Sequence, residues 1–225
     1  MLSRDSISQT GQLFNRILPK YSRIPLLFTV VLNFSVYWGA RAIAGGFTHH
    51  NIETALDDMI PVVYSTVVIY FGCYIFWIIG YLYNAAMDKR HCYRFLMADW
   101  LAKAVCFICY VVYPTTNTRP EIVGTDIWAQ LMRFLYSMDA ADNLFPSIHC
   151  LVSWLCYIGI RGNKKVPQWI RTTFCICAVA VFISTLTTKQ HVIYDVVAGV
   201  ALVEVTYWVS NLIVKRALLK RENRI

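Results

Sequence analysis

The chain is 225 residues long, 57% hydrophobic and only 15% charged, with a formal net charge of +8 and a mean hydropathy of +0.48. A water-soluble domain of this size has no core able to hide so much apolar surface, which excludes an ordinary soluble enzyme. The balance points to an all-α polytopic membrane protein, and the short connections leave no residues for a separate globular module.

Apolar runs long enough to cross a bilayer core of about 30 Å predict six spans in chain order: 24–44, 60–84, 95–113, 146–160, 169–186 and 191–214. The first is too long for a signal-peptide core and is followed by no small-residue cleavage site, so it reads as a permanent helix. The fourth is short for a full crossing. The expected organisation is an N-terminal segment 1–23, one six-helix membrane domain over 24–214, and a basic tail 215–225.

Sixteen of the 21 lysines and arginines fall before the first span, between the second and third, between the fourth and fifth (counting Arg171 at the start of the fifth), or after the sixth. By the positive-inside rule both termini then face the cytoplasm. The basic excess is a topology signal with some attraction to anionic lipid, not a nucleic-acid surface.

The opposite face carries the chemistry-bearing residues. Arg119-Pro120 follows the third span, Phe145-Pro146-Ser147-Ile148-His149 opens the fourth, and Ser184-Thr185-Leu186-Thr187-Thr188-Lys189-Gln190-His191-Val192-Ile193-Tyr194-Asp195 leads into the sixth. Residues four apart share a helix face, so Asp195 can accept from one ring nitrogen of His191 and leave the other free as a nucleophile. His149 can carry a proton to a leaving oxygen. Pro-Ser at a helix start offers free amides and a positive helix end, suited to a phosphoryl group, and Arg119 can add a bidentate contact. Together these residues describe attack on phosphorus by histidine, with a phosphohistidine resolved by an acceptor.

These three segments, in this order on one face of six helices, resemble the type 2 phosphatidic acid phosphatase superfamily, which includes lipid phosphate phosphatases and, more distantly, sphingomyelin and inositol phosphorylceramide synthases. Pro146-Ser147-Ile148-His149 stands for the second motif, and Ser184, His191 and Asp195 keep the spacing of the third. The resemblance implies His191 as nucleophile, Asp195 as its partner, His149 as general acid, and Arg119 and Ser147 as phosphate ligands, with Ser184 alongside. Two cations of the family pattern are missing: Val112 stands where the first motif has lysine, and Thr185 where the third has arginine. Fewer cations suit a singly charged phosphodiester better than a dianionic monoester, although Lys189 offers a replacement charge. The expected activity is hydrolysis of a phosphatidic acid-like monoester, with headgroup transfer to a lipid or polyol hydroxyl as the alternative. The expected location is the plasma membrane, with the site on the non-cytoplasmic face and a phosphorylated membrane lipid as substrate.

The connection from Pro114 to Phe145, with Asp126, Asp139 and Asp142, is expected to select the substrate by repelling highly anionic headgroups. Asp99 and Lys103, four apart inside the third span, are expected to neutralise one another, since an unpaired charge there is costly. No cofactor and no metal are expected: Cys106 and Cys109 have no second cysteine pair or histidine at a zinc-site interval, and the eight cysteines suggest no disulfide framework. Glycine-rich phosphate loops, dinucleotide fingerprints and Gly-x-Ser-x-Gly elbows are absent. A transporter is the rival class, disfavoured by the lack of an inverted repeat and by polar residues gathered at one surface.

Overall fold

The computed structural model describes residue 12 and residues 14–222, with side chains to residue 217. The outer parts of the expected terminal segments, including Arg4, Lys220, Arg221 and Arg224, therefore lie outside the described residues and side chains. The chain is 75% helical with almost no strand. In chain order it forms α1 (Lys20–Ala44), β1 (His50–Asn51), α2 (Ala55–Asp58), a single 3-10 turn (Tyr64–Thr66), α3 (Val67–Met87), α4 (Lys89–Val112), β2 (Thr115–Thr116), α5 (Ile127–Met138), α6 (Ile148–Arg161), α7 (Gln168–Thr187) and α8 (Ile193–Glu222).

Five helices are long and apolar enough to cross a membrane: α1, α3 with its leading turn, α4, α7 and α8. The expected fourth span, 146–160, is a shorter apolar helix: the 14 residues of α6 rise about 21 Å at 1.5 Å per residue. Helix starts follow local chemistry more than hydropathy. Asp88 caps α4 by accepting from the His91 amide at 2.8 Å, so α4 begins six residues before the expected third span. Pro61 and the extended stretch after it delay α3 past the expected start at Ile60.

The connection from Pro114 to Phe145 contains α5, a helix that the span pattern did not reveal. Asp126 caps it through the amides of Trp128 and Ala129, and Ala129, Met132 and Leu135 at helical spacing face inward. That apolar face packs on Val67 and Tyr70 of α3, which folds the connection back over the bundle end.

In the bundle α4 is central, packing against α1, α8, α3 and α6, while α6 is held between α7 and α8. Small residues set the closest approaches. A Cβ on Gly80 of α3 would lie 2.4 Å from the Cys156 sulfur of α6, and one on Gly199 of α8 would lie 2.6 Å from the Ser147 carbonyl at the start of α6. Tight backbone approach of this kind is how helices associate where the surrounding medium is itself apolar. Asp99 and Lys103 form a buried pair at 2.9 Å, with the Tyr81 hydroxyl donating to Asp99 at 2.8 Å, so the expected neutralisation is found. All eight cysteines are free thiols.

One end of the bundle gathers the C-terminal ends of α1, α4 and α7 and the starts of α3, α6 and α8. Several long-range bonds lace it. His50 N–H donates to the Pro114 carbonyl where β1 pairs in parallel with β2. The Tyr110 hydroxyl donates to the Pro146 carbonyl at 2.6 Å, and Thr66 bonds Thr187 at 2.8 Å.

Candidate active site

His191 is delivered by the way α7 ends. Lys189 adopts a left-handed backbone (φ 53°), the Gln190 amide returns to the Thr185 carbonyl at 2.9 Å and the Lys189 amide to Leu186 at 3.2 Å. This is the paired-bond cap usually closed by glycine. The His191 amide also returns to the Thr185 carbonyl, at 3.1 Å, so the residue sits on a fixed corner between α7 and α8. Asp57 of α2 pins the far side: its Oδ1 accepts from the Ile193 amide at 2.7 Å, and its carbonyl accepts from the Lys189 ammonium at 2.7 Å.

Asp195, in the first turn of α8, is fully buried. Its Oδ2 lies 3.1 Å from His191 Nδ1 and accepts from the Val192 amide at 3.0 Å. The carboxylate thus selects the tautomer with hydrogen on Nδ1 and leaves Nε2 as the free lone pair. Nε2 faces His149 Nδ1 at 3.4 Å. His149 is the second residue of α6, whose cap Ser147 accepts from the Cys150 amide at 3.2 Å while its own amide donates to the Asp195 carbonyl at 3.1 Å. That last bond ties the two histidine-bearing helices together directly at the site.

Three aromatic rings of α3, at positions i, i+4 and i+7, surround His149: Tyr70 at 4.6 Å, Tyr74 at 6.2 Å and Trp77 at 5.4 Å between ring centroids. Tyr70 is in turn held by Asp139, which accepts from the hydroxyls of Tyr70 at 2.7 Å and Tyr37 at 2.9 Å. Burial works to raise the Asp139 carboxyl, but the pull of His149 and the two phenol bonds outweigh it and hold the group below the usual carboxylate value.

Arg119 donates to the Asp139 carbonyl and to Gln190 Oε1 at 2.7 Å, and its guanidinium lies over the Tyr136 ring at 4.8 Å. Burial lowers its pKa from the ordinary value, with Asp139 opposing, yet an arginine stays charged.

The residues singled out in the sequence thus divide. His149, His191 and Asp195 come together, and Arg119 stands behind Gln190. Ser147 is buried and occupied as a helix cap, and Ser184 is buried with its hydroxyl on the Val181 carbonyl of its own helix. Lys189 is turned to Asp57, its ammonium donating to the Asp57 carbonyl at 2.7 Å. Of the three connection carboxylates, Asp126 caps α5 and Asp142 pairs with Arg41 at 3.1 Å; Asp139 and Asp142 line the same cavity as the histidines, and Asp139 is the one bonded to the Tyr70 ring beside His149.

Sequence reasoning missed Asp57, Gln190 and the α3 aromatic face, and it named Asp139 only as one of three acidic residues of the connection, without its bonds to Tyr37 and Tyr70. A weak signal existed for Asp57, since Thr54-Ala55-Leu56-Asp57 has the spacing of a capping box, which the structure forms. The others have no local signature.

Both histidines line a cavity of about 1080 Å³ that runs between α1, α3 and α5, past Phe34, Trp38, Ile78 and Leu82, as far as Leu18 and Arg23. Ligand pockets usually hold about 300–1,000 Å³, so this one accommodates a large, mostly apolar molecule. Among the described residues no group of three or more His, Cys, Asp or Glu side chains has the arrangement of a metal site.

A family model described as the PAP2 superfamily matches residues 36–209, a range that takes in Arg119, His149, Gln190, His191 and Asp195. The chain belongs to the PAP2 superfamily. No curated protein and no solved structure matches it. Membership in the PAP2 superfamily suggests phosphatase or phosphotransferase activity, and the helices long and apolar enough to cross a membrane suit a membrane-embedded member.

Proposed function

We propose that this chain is a membrane-embedded phosphotransferase that moves the phosphoryl headgroup of a lipid phosphodiester to a hydroxyl acceptor through a phosphohistidine on His191. The observation that carries the reading is a histidine held by a buried carboxylate, with its free nitrogen 3.4 Å from a second histidine, at the head of a large apolar cavity.

In the first half-reaction His191 Nε2 attacks phosphorus, the bond to the leaving lipid oxygen breaks, and His149 gives that oxygen a proton. The Asp195 carboxylate offsets the positive charge that forms on the imidazole. A phosphoryl group has no room between rings this close, so the substrate displaces the His149 ring as it enters. In the second half-reaction His149 takes the proton of the acceptor hydroxyl, whose oxygen attacks phosphorus and frees His191.

Charge favours the diester over the monoester ranked first from sequence. The cradle holds one guanidinium, already engaged on two sides, with the Asp139 carboxylate nearby and the Lys189 ammonium committed to Asp57. A phosphodiester brings one negative charge and a monoester close to two. With the basic loops cytoplasmic, the site lies at the opposite membrane face and α6 completes a sixth crossing.

The test uses the full chain purified in detergent with chelator present. Transfer of a labelled headgroup from a phosphatidyl donor to a lipid alcohol is expected, lost in His191→Ala and faster than phosphate release from phosphatidic acid. Faster release from phosphatidic acid returns the reading to a lipid phosphate phosphatase, and neither activity sinks both.

A further inference from the structure

Gln190 is 1% exposed and lines the cavity beside both histidines. Its Oε1 accepts from Arg119 at 2.7 Å. A guanidinium has donors only, so this end of the amide is the oxygen and the other end is the NH₂ group. That NH₂ is buried and has no partner among the described residues, and the neighbouring Arg119 Nε is likewise unpaired. An unspent donor group buried beside a nucleophile is costly, and because Gln190 lines the cavity with His149 and His191, an anionic oxygen entering there would satisfy its amide.

We propose that Gln190 is a phosphoryl ligand, donating its free amide to a non-bridging oxygen of the group that His191 attacks, with Arg119 behind it as the charge that polarises the amide. This rests on the reading of His191 as the phosphoryl site. The capped end of α7 fixes where the side chain begins, since the Gln190 backbone N–H closes the cap onto the carbonyl of Thr185, the position where the family pattern has an arginine, and the bond from Arg119 holds the oxygen end of the side-chain amide. A neutral amide then does by hydrogen bonding what a cation does elsewhere by charge. An amide backed by one clamped guanidinium stabilises a monoanion and gives less to a dianion, because the second charge meets no second cation. The ligand class that fits is therefore a phosphodiester monoanion. Asp139, anchored by two phenols beside the same cavity, adds to that preference.

The probe is orthovanadate, a mimic of the pentacoordinate phosphoryl centre, titrated calorimetrically into the full chain in detergent freed of chelator, because chelators bind vanadate. Wild type is expected to bind. Gln190→Met removes the donors at similar size and should weaken binding tenfold to hundredfold, the scale of a hydrogen bond to a charged group. Gln190→Glu still accepts from Arg119, so it keeps that internal bond while presenting a negative charge, and binding should vanish. Thermal unfolding without vanadate checks that each variant is folded. A filled but purely structural role for Gln190, for instance with water on the amide, predicts vanadate binding within twofold of wild type in folded Gln190→Met, and that result overturns the proposal. So does a wild type that binds no vanadate. Vanadate binding that depends on Gln190 in a protein that transfers no headgroup would instead leave the ligand assignment standing and remove the transferase reading.

Discussion

Replacing Asp195 separates two things its carboxylate does. Both donors, His191 Nδ1 and the Val192 amide, converge on Oδ2, and Oδ1 is buried with no partner among the described residues. Asparagine can therefore place its oxygen at the Oδ2 position, keep both bonds and keep the histidine tautomer, losing the negative charge and putting an NH₂ at the buried Oδ1 position. That charge faces the imidazole as attack on phosphorus makes it cationic. Unit charges about 4 Å apart attract by about 4 kcal/mol at an effective dielectric of 20, which is about a thousandfold in rate. Asp195→Asn should then lower kcat about a thousandfold with KM for the lipid donor little changed. Asp195→Ala also orphans the Val192 amide and releases the ring, so its loss should reach about ten-thousandfold, the scale for a histidine without its orienting carboxylate. The assay is initial-rate headgroup transfer over a range of donor concentrations. Equal activity of the two variants, or Asp195→Asn within a few-fold of wild type, would refute the assignment of charge and orientation to this one oxygen.

Other consequences follow from the packing and the charges. Gly199→Ala would set a Cβ 2.6 Å from the Ser147 carbonyl; since that atom is backbone and cannot swing away, about 1–3 kcal/mol of stability should be lost, seen as a lower Tm with activity falling alongside. Lys189→Met should cost about 1–2 kcal/mol for the bond to the Asp57 carbonyl but leave donor KM unchanged, whereas a KM rise of about tenfold would make Lys189 a phosphate ligand after all. Asp139 is held below the usual carboxylate value of 3.8. Its folded-state pKa is depressed, so its contribution to stability is fully present above that value and is lost as pH falls through the lower, folded one. The Tm gap between wild type and Asp139→Asn should therefore be constant near neutrality and close in strong acid; a gap that widens on acidification would contradict the sign.

The amino-acid sequence by itself determined the all-helical membrane character, because 20-residue apolar runs have no other stable use, and it marked His149, His191 and Asp195, because ionisable residues at the ends of such runs are retained only for a purpose. The pairing of His191 with Asp195 is local, although His191 stands on the corner before α8 rather than on the helix face that the spacing suggested, and it was legible because the two residues are only four apart. The helix starts were less so: the Asp88 cap and the extended stretch after Pro61 move boundaries that hydropathy draws elsewhere. Tertiary structure alone decided the rest. Which acidic residue of the long connection enters the site depends on α5 folding back onto α3, an amphipathic packing that brings Asp139 to Tyr37 and Tyr70 across more than 60 residues of sequence. Whether Lys189 supplies charge depends on a left-handed cap that turns its side chain to Asp57, and whether Gln190 matters depends on an arginine 71 positions away that fixes which end of its amide is free. Contacts of that kind leave no spacing to read, because only the folded chain brings the partners within reach of each other.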